Sequence, residues 1–172
     1  LNMNTSPIEM HELYNPAMKN SPEWRFVSDQ VMGGVSEGQV VFNEEDESPC
    51  HCLTGLVSLE NNGGFLQMQL VNLDQIDVNY TDYKGLYIEV KGNNHEYNLH
   101  LRTSQLWLPW QSFRQNFLAS QHWQRLFLAF EEFDPYKTFS DLNPKKIHRL
   151  GILAIGEEFE SNICIRNLGL YR

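Results

Sequence analysis

The feature that most constrains this chain is an alternation of apolar and polar side chains at every second residue. In "KGLYIEVK", residues 84–91, Leu86, Ile88 and Val90 alternate with Tyr87, Glu89 and Lys91. In "EYNLHLR", residues 96–102, Tyr97, Leu99 and Leu101 alternate with Asn98, His100 and Arg102. A period of two puts each set on its own face of a strand. The intervening "GNNH" has the composition of a turn, so the pair reads as a β-hairpin with one face for a core and one for solvent. The same reasoning predicts strands at 24–28, 39–43, 52–59, 65–71, 110–117, 123–130, 147–155 and 162–171. In the last of these, Ile163 and Ile165 share a parity that Leu168 and Leu170 do not, which predicts a bulge near Asn167.

Helical signals are confined to the start. "SPIE" at 6–9 combines a capping Ser6, Pro7 in the first turn and Glu9 to close a capping box, which predicts a short helix over 7–14 that ends near Pro16. Residues 131–146, with two prolines and many turn formers, read as a long loop. Many strands and almost no helix indicate an all-β fold, an antiparallel two-sheet sandwich with jelly-roll topology. A length of 172 residues with 41% hydrophobic content suits one domain with its own core. The domain is expected over 22–172, behind an N-terminal segment 1–21, with Trp24 and Trp123 largely buried.

Composition excludes several classes of function. The net charge of −9 and the scattered Lys and Arg argue against nucleic acid and against anionic membrane surfaces. No apolar run approaches the roughly 20 residues that cross a bilayer. The first residues lack a basic start followed by an apolar stretch, so no secretory signal is read and a cytoplasmic location is expected. Three cysteines, Cys50, Cys52 and Cys164, do not suggest a disulfide framework and read as reduced thiols. "CHC" at 50–52 has no second ligand pair at zinc spacing, and His51 faces away from its neighbours, so no metal site is expected. Asp74, Asp77 and Asp82 lack the pattern of a calcium loop and read as solvated charge.

Two Gly-Gly pairs need an explanation: "SDQVMGGVS" at 28–36 and "ENNGGF" at 60–65. Neither is followed by the Lys, the Ser or Thr and the helix of a phosphate-binding loop, and no dinucleotide fingerprint is present. "HEYNLH" at 95–100 is one residue too long for a zinc-protease helix motif, and it lies on a strand. There is no nucleophile elbow, and no cysteine carries a nucleophile motif. Neither an enzyme nor a cofactor is therefore expected. Asn4-Thr5-Ser6 and Asn79-Tyr80-Thr81 are glycosylation sequons, which have no meaning in a cytosolic protein. More suggestive is the polar face carrying Asn98, His100 and Arg102, with Gln67 and Gln69 alternating against Leu66, Met68 and Leu70. Trp107, Trp110, Gln111 and Arg114 follow nearby. Aromatics, amides and arginine together suit a sugar or a protein partner.

Several stretches in order resemble the complex I intermediate-associated protein 30 family. They are Trp24 with "SDQVMGGVS", then "LTGLVSLENNGGF", "YKGLYIEVKGNNHEYNLHLR", "HWQRLFLAFEEFDP", "IHRLGILAIG" and "ICIRNLGLY", spanning about residues 22–172. The resemblance implies a galactose-binding-like β-sandwich and a non-catalytic module. Mitochondrial members are chaperones for assembly of respiratory complex I, and stand-alone bacterial members of this length occur. On that basis the two Gly-Gly segments are connections at one end of the sandwich, where Gly33, Gly34, Gly63 and Gly64 permit positive φ and close packing. Asp29, Ser36, Asn61 and Asn62 are expected to bind loop backbone groups. Because loops on a rigid scaffold also carry sites, Asp29, Asn62 and Arg102 are expected near one another. The expected function is a binding or assembly-factor module acting through protein contacts. The rival reading is a carbohydrate-binding module using the outer face with Trp107, Trp110, His100 and Arg102, and Asn98 is a candidate contact for either kind of partner.

Overall fold

A computed structural model describes residues 8–44 and 48–172. It forms two six-stranded antiparallel sheets packed face to face. Sheet A contains β1 (Met10–Tyr14), β3 (Glu37–Asn43), β4 (Cys50–Val57), β6 (Gly85–Lys91), β9 (Gln124–Ala129) and β12 (Phe159–Tyr171). Its strand order is β3-β4-β12-β6-β9, and β1 also pairs with β12. Sheet B contains β2 (Arg25–Ser28), β5 (Phe65–Leu70), β7 (His95–Thr103), β8 (Ser112–Ala119), β10 (Asp134–Tyr136) and β11 (Ile147–Ile155). Its order is β10-β8-β7-β11-β5-β2. The architecture is the jelly-roll sandwich that the alternation predicts.

The core lies between the sheets and is built from one parity of each strand. Leu99, Leu101, Met68 and Ile152 of sheet B face Leu53, Ile88, Val90 and Ile163 of sheet A, all of them buried. Burying an aliphatic side chain of this size stabilises a fold by roughly 1.5–3 kcal/mol, before the ordering entropy is set against it. In β12 the register shifts between Ile165 and Asn167. The extra residue returns Leu168 and Leu170 to the core, where strict alternation would have turned them outward. Arg166, at the shift, bonds Glu89 through Nε at 2.9 Å and lies over the Trp123 ring. Trp123 is thus half-buried beneath a guanidinium. Trp24 is partly buried against the core, edge-on to Tyr14, so both tryptophans are less buried than the sequence leads one to expect.

Three expectations are corrected. The short helix is absent: residues 10–14 form β1, while Ser6 and Pro7 lie outside the described residues. β12 runs beyond the end of β4 and leaves its backbone unpaired at 168–171, and β1 fills that edge. Leu13 and Tyr14 are buried as a result. The weak local capping signal is outweighed by tertiary hydrogen bonds and burial. Second, the loop at 131–146 contains β10, an edge strand whose Pro135 is tolerated because an edge has one unpaired side. Third, the cysteines are not all reduced. β4 and β12 place Cys52 directly opposite Cys164, and the two are disulfide-bonded. Cys50 is free and buried, its Sγ 3.7 Å from that of Cys52. The compositional argument for a reducing compartment goes with that correction. No helix among the described residues is long and apolar enough to cross a membrane.

Candidate functional site

The two Gly-Gly segments meet around Asp29. This residue begins a 3₁₀ turn, Asp29–Met32, that follows β2, and it has no exposed surface. Its Oδ1 accepts from Ser36 N at 3.0 Å. Its Oδ2 accepts from Ser36 Oγ at 2.5 Å, Gly64 N at 2.6 Å and Phe65 N at 3.3 Å. Burial works to raise the Asp29 pKa, but these hydrogen bonds outweigh it and hold the carboxyl below its ordinary value.

Each glycine pair divides the work in the same way. Gly33 and Gly64 take positive φ, 87° and 133°. Gly34 and Gly63 lie against the carboxylate: a Cβ on Gly34 would meet Asp29 Cγ at 2.4 Å, and one on Gly63 would meet Oδ2 at 2.5 Å. Gly34→Ala and Gly63→Ala are each expected to destabilise the protein by roughly 1–3 kcal/mol through overpacking. An unchanged melting midpoint in both would contradict this packing. Asn61 and Asn62 contribute left-handed backbone, with φ of 54° and 58°, and their side chains are exposed.

A cleft of about 650 Å³ opens on the outer face of sheet B. Its floor comes from the solvent-facing parity of β5, β7, β8 and β11: Gln67 and Gln69, His100 and Arg102, Arg114, and Arg149. Gly151 clears the centre, since a Cβ there would strike Gln67 Oε1 at 2.0 Å. Val31 and Met32 from the Asp29 turn, Trp110 from the β7–β8 loop and Tyr136 from β10 form walls. Arg102 is fixed by bonds from one terminal nitrogen to the carbonyls of Leu108, Pro109 and Gln111, at 2.9, 3.2 and 2.6 Å. Arg114 donates from Nε to Ser112 Oγ at 2.8 Å, and its guanidinium lies 3.5 Å from the centre of the Tyr136 ring.

His100 is 8% exposed, and its Nε2 has no hydrogen-bond partner among the described residues. Burial, with the Arg114 charge adding to it, pushes its pKa down to about 3, so the ring is neutral across the physiological range. Burial also lowers the pKa of Arg102 and Arg114.

Of the residues singled out from sequence, the cleft gathers His100, Arg102 and Trp110, together with Gln67, Gln69, Gln111 and Arg114. Trp107 stands on the Trp110 loop and is 91% exposed. Asn98 is outside the cleft lining, and so are Asp29 and Asn62. The carboxylate of Asp29 is taken up internally; the turn it anchors carries Val31 and Met32 into the wall. Sequence reasoning missed Arg149 and Tyr136. Arg149 lies on a strand whose residues of either parity are mostly apolar and buried, including Ile147 and Leu153 on its own parity, so alternation did not mark it. Tyr136 lay in the stretch read as loop.

The comparisons with known proteins bear on this arrangement. The profile of the family described as complex I intermediate-associated protein 30 matches residues 14–164. The chain belongs to that family. No curated protein matches its sequence. Among solved structures, it is similar to the family 11 carbohydrate-binding module of a cellulosomal cellulase of Clostridium thermocellum. The TM-score is 0.75 at 8% identity, covering 96% of this chain and 95% of that one. The same type of module in complex with a β-1,3-1,4-mixed-linked tetrasaccharide aligns with TM-score 0.71 at 8% identity, over 95% and 94% of the two chains. A family 30 carbohydrate-binding module from another C. thermocellum cellulosomal cellulase aligns with TM-score 0.61 at 11% identity, over 92% and 95%. At such identities these likenesses establish the shared fold of this member of the complex I intermediate-associated protein 30 family, and no more.

Other clusters are less suited to a ligand. The three cysteine sulfurs lie within 4.8 Å of one another, but two of them are bonded together. No comparable cluster forms at Asp74, Asp77 and Asp82 among the described residues. His95 stacks on Phe159 and meets Glu157 at 2.8 Å, on the opposite face of β7 from His100.

Proposed function

We propose that this chain is a non-catalytic binding module that engages a protein partner through the cleft on sheet B. The observation that carries the reading is the apolar rim. Val31 is 77% exposed, Met32 60% and Trp110 57%, and these three line one cleft together with Arg102, Arg114 and Tyr136. Trp, Tyr, Met and Arg are the residue types enriched where proteins meet, whereas Asp, Glu and Lys are depleted there. Exposed large apolar side chains gathered in one place mark an interaction site more often than scattered ones. Family membership supports the same reading, with a subunit undergoing assembly as the natural class of partner. The absence of catalysis is supported by the donor set. No carboxylate or thiol lines the cleft, its one imidazole is held neutral, and general acid–base work needs a group that titrates near the working pH.

A second reading, saccharide binding, is favoured by Gln67 and Gln69 beside Trp110 on one sheet face and by the fold shared with carbohydrate-binding modules. One experiment separates the two. A photo-crosslinking phenylalanine analogue replaces Trp107, and the protein is irradiated in extract of its native cells. The expected result is a discrete protein adduct that disappears in the presence of excess unlabelled protein and is weakened by Trp110→Ala. Absence of an adduct, combined with glycan-array binding that Trp110→Ala abolishes, moves the assignment to saccharide.

A further inference from the structure

The polar half of the cleft has a one-sided chemistry. The chain as a whole is acidic, with 22 Asp and Glu against 13 Lys and Arg. Yet the cleft collects three arginines, Arg102, Arg114 and Arg149, and none of its lining residues is acidic. The ion pairs among the described residues are His95–Glu157, Arg125–Glu89, Arg166–Glu89 and Arg172–Glu9, and none of them involves the three cleft arginines. Arg149 Nε and His100 Nε2 are buried without a hydrogen-bond partner among the described residues, and the pair lies on adjacent strands: β11 and β7 place Arg149 opposite Arg102 and Gly151 opposite His100. Buried polar atoms in folded proteins are almost always satisfied, so two such atoms in one cleft leave it able to bind a polar group, in place of water, at both. The imidazole, which is neutral, can serve that ligand through Nε2 as donor or acceptor according to its tautomer.

We infer that the cleft floor is a carboxylate-binding site, and that its occupant is an acidic segment of the partner protein which places an Asp or Glu side chain between Arg149 and Arg114. A carboxylate matches the planar fork of a guanidinium, and charge-assisted bonds of this kind are the strong ones. Arg102 is held to backbone carbonyls and keeps its charge at the site, while Arg114 is held flat on Tyr136. The apolar walls would take the flanking side chains and exclude water from the pair. An acidic peptide is favoured over an acidic glycan because Val31 and Met32 make one wall aliphatic and irregular, where a sugar ring stacks best on a flat aromatic. The inference rests on the cleft being the partner-binding surface.

The test uses the intact protein and a random peptide phage library. Peptides are selected on the wild type, synthesised, and measured by fluorescence anisotropy against the wild type, Arg149→Gln, Arg149→Lys and Trp110→Ala. The expected selection is rich in Asp and Glu flanked by apolar residues. Affinity is expected to fall on the order of tenfold or more in Arg149→Gln, less in Arg149→Lys, and to weaken as salt is raised. His100→Gln checks the orphaned nitrogen without removing a charge, and a loss of several-fold is expected there. Circular dichroism melts confirm that each variant folds. Peptides that bind at the cleft, lose affinity in Trp110→Ala and show no acidic preference overturn the carboxylate inference but leave the docking reading intact. If no selected peptide depends on Trp110, both fall. Binding of polygalacturonate with loss in Arg149→Gln, and no peptide binding, overturns the peptide occupant in favour of an acidic saccharide.

Discussion

Asp29→Ala is expected to lower stability by about 3–5 kcal/mol, because it leaves a cluster of buried donors with nothing to accept them. The carboxylate is the common acceptor for Ser36 N, Ser36 Oγ, Gly64 N and Phe65 N, and so ties the loop after β2 to the loop before β5. Chemical denaturation of the two proteins measures the difference directly. Asp29→Asn separates charge from shape: it keeps the volume but replaces one acceptor with a donor, and it is expected to recover only part of the loss. The same site predicts a pH dependence. The Asp29 pKa is depressed in the folded state, so the unfolded chain takes up a proton first as pH falls. Its stabilisation is present above the unfolded carboxyl value of about 3.9 and is lost as pH drops through the lower folded value. Wild type therefore loses more stability than Asp29→Asn between neutral and strongly acidic pH. Parallel curves for the two would refute the assignment of that acid sensitivity to Asp29. Because the Asp29 turn carries Val31 and Met32, the Asp29 variants also test whether the loop anchor shapes the partner-binding wall.

The second large effect concerns the cross-strand disulfide. Cys52 and Cys164 are 112 residues apart in sequence, and closing a loop of that length restricts the unfolded chain strongly. The chain-entropy argument gives about 4–5 kcal/mol. Reduction, or Cys164→Ser, is expected to lower the urea midpoint accordingly, whereas Cys50→Ser leaves the bond and most of the stability in place. Coincident midpoints for oxidised and reduced protein would show that the bond does not form in solution. Cys50 lies close enough to Cys52 for thiol exchange, so mass mapping of the oxidised protein should accompany the melts.

The alternation in β6 and β7 made the sandwich legible from sequence, because a period of two admits one inner and one outer face per strand. The parity change in β12 was legible for the same reason, as was the outward face of His100 and Arg102. β1 was not legible. Its residues carry helix-start chemistry, and only the unpaired backbone edge of β12 makes a strand the better state. The Cys52–Cys164 bond was equally hidden, since an odd count of cysteines says nothing about register, and the antiparallel pairing of β4 with β12 supplies the proximity.

The site divides along the same line. Sequence by itself determined the faces: which side chains of each strand turn to solvent, and hence that Gln67, His100, Arg102 and Arg114 are offered outward. Tertiary structure decided which of them share one cleft. Strand order sets that, by placing β11 between β7 and β5 so that Arg149 joins residues distant in sequence. It also decided that Asp29 serves the loops rather than a ligand. A carboxylate reads the same in sequence whether its oxygens face water or buried N–H groups, and only the packing of Gly34 and Gly63 against it closes off the solvent.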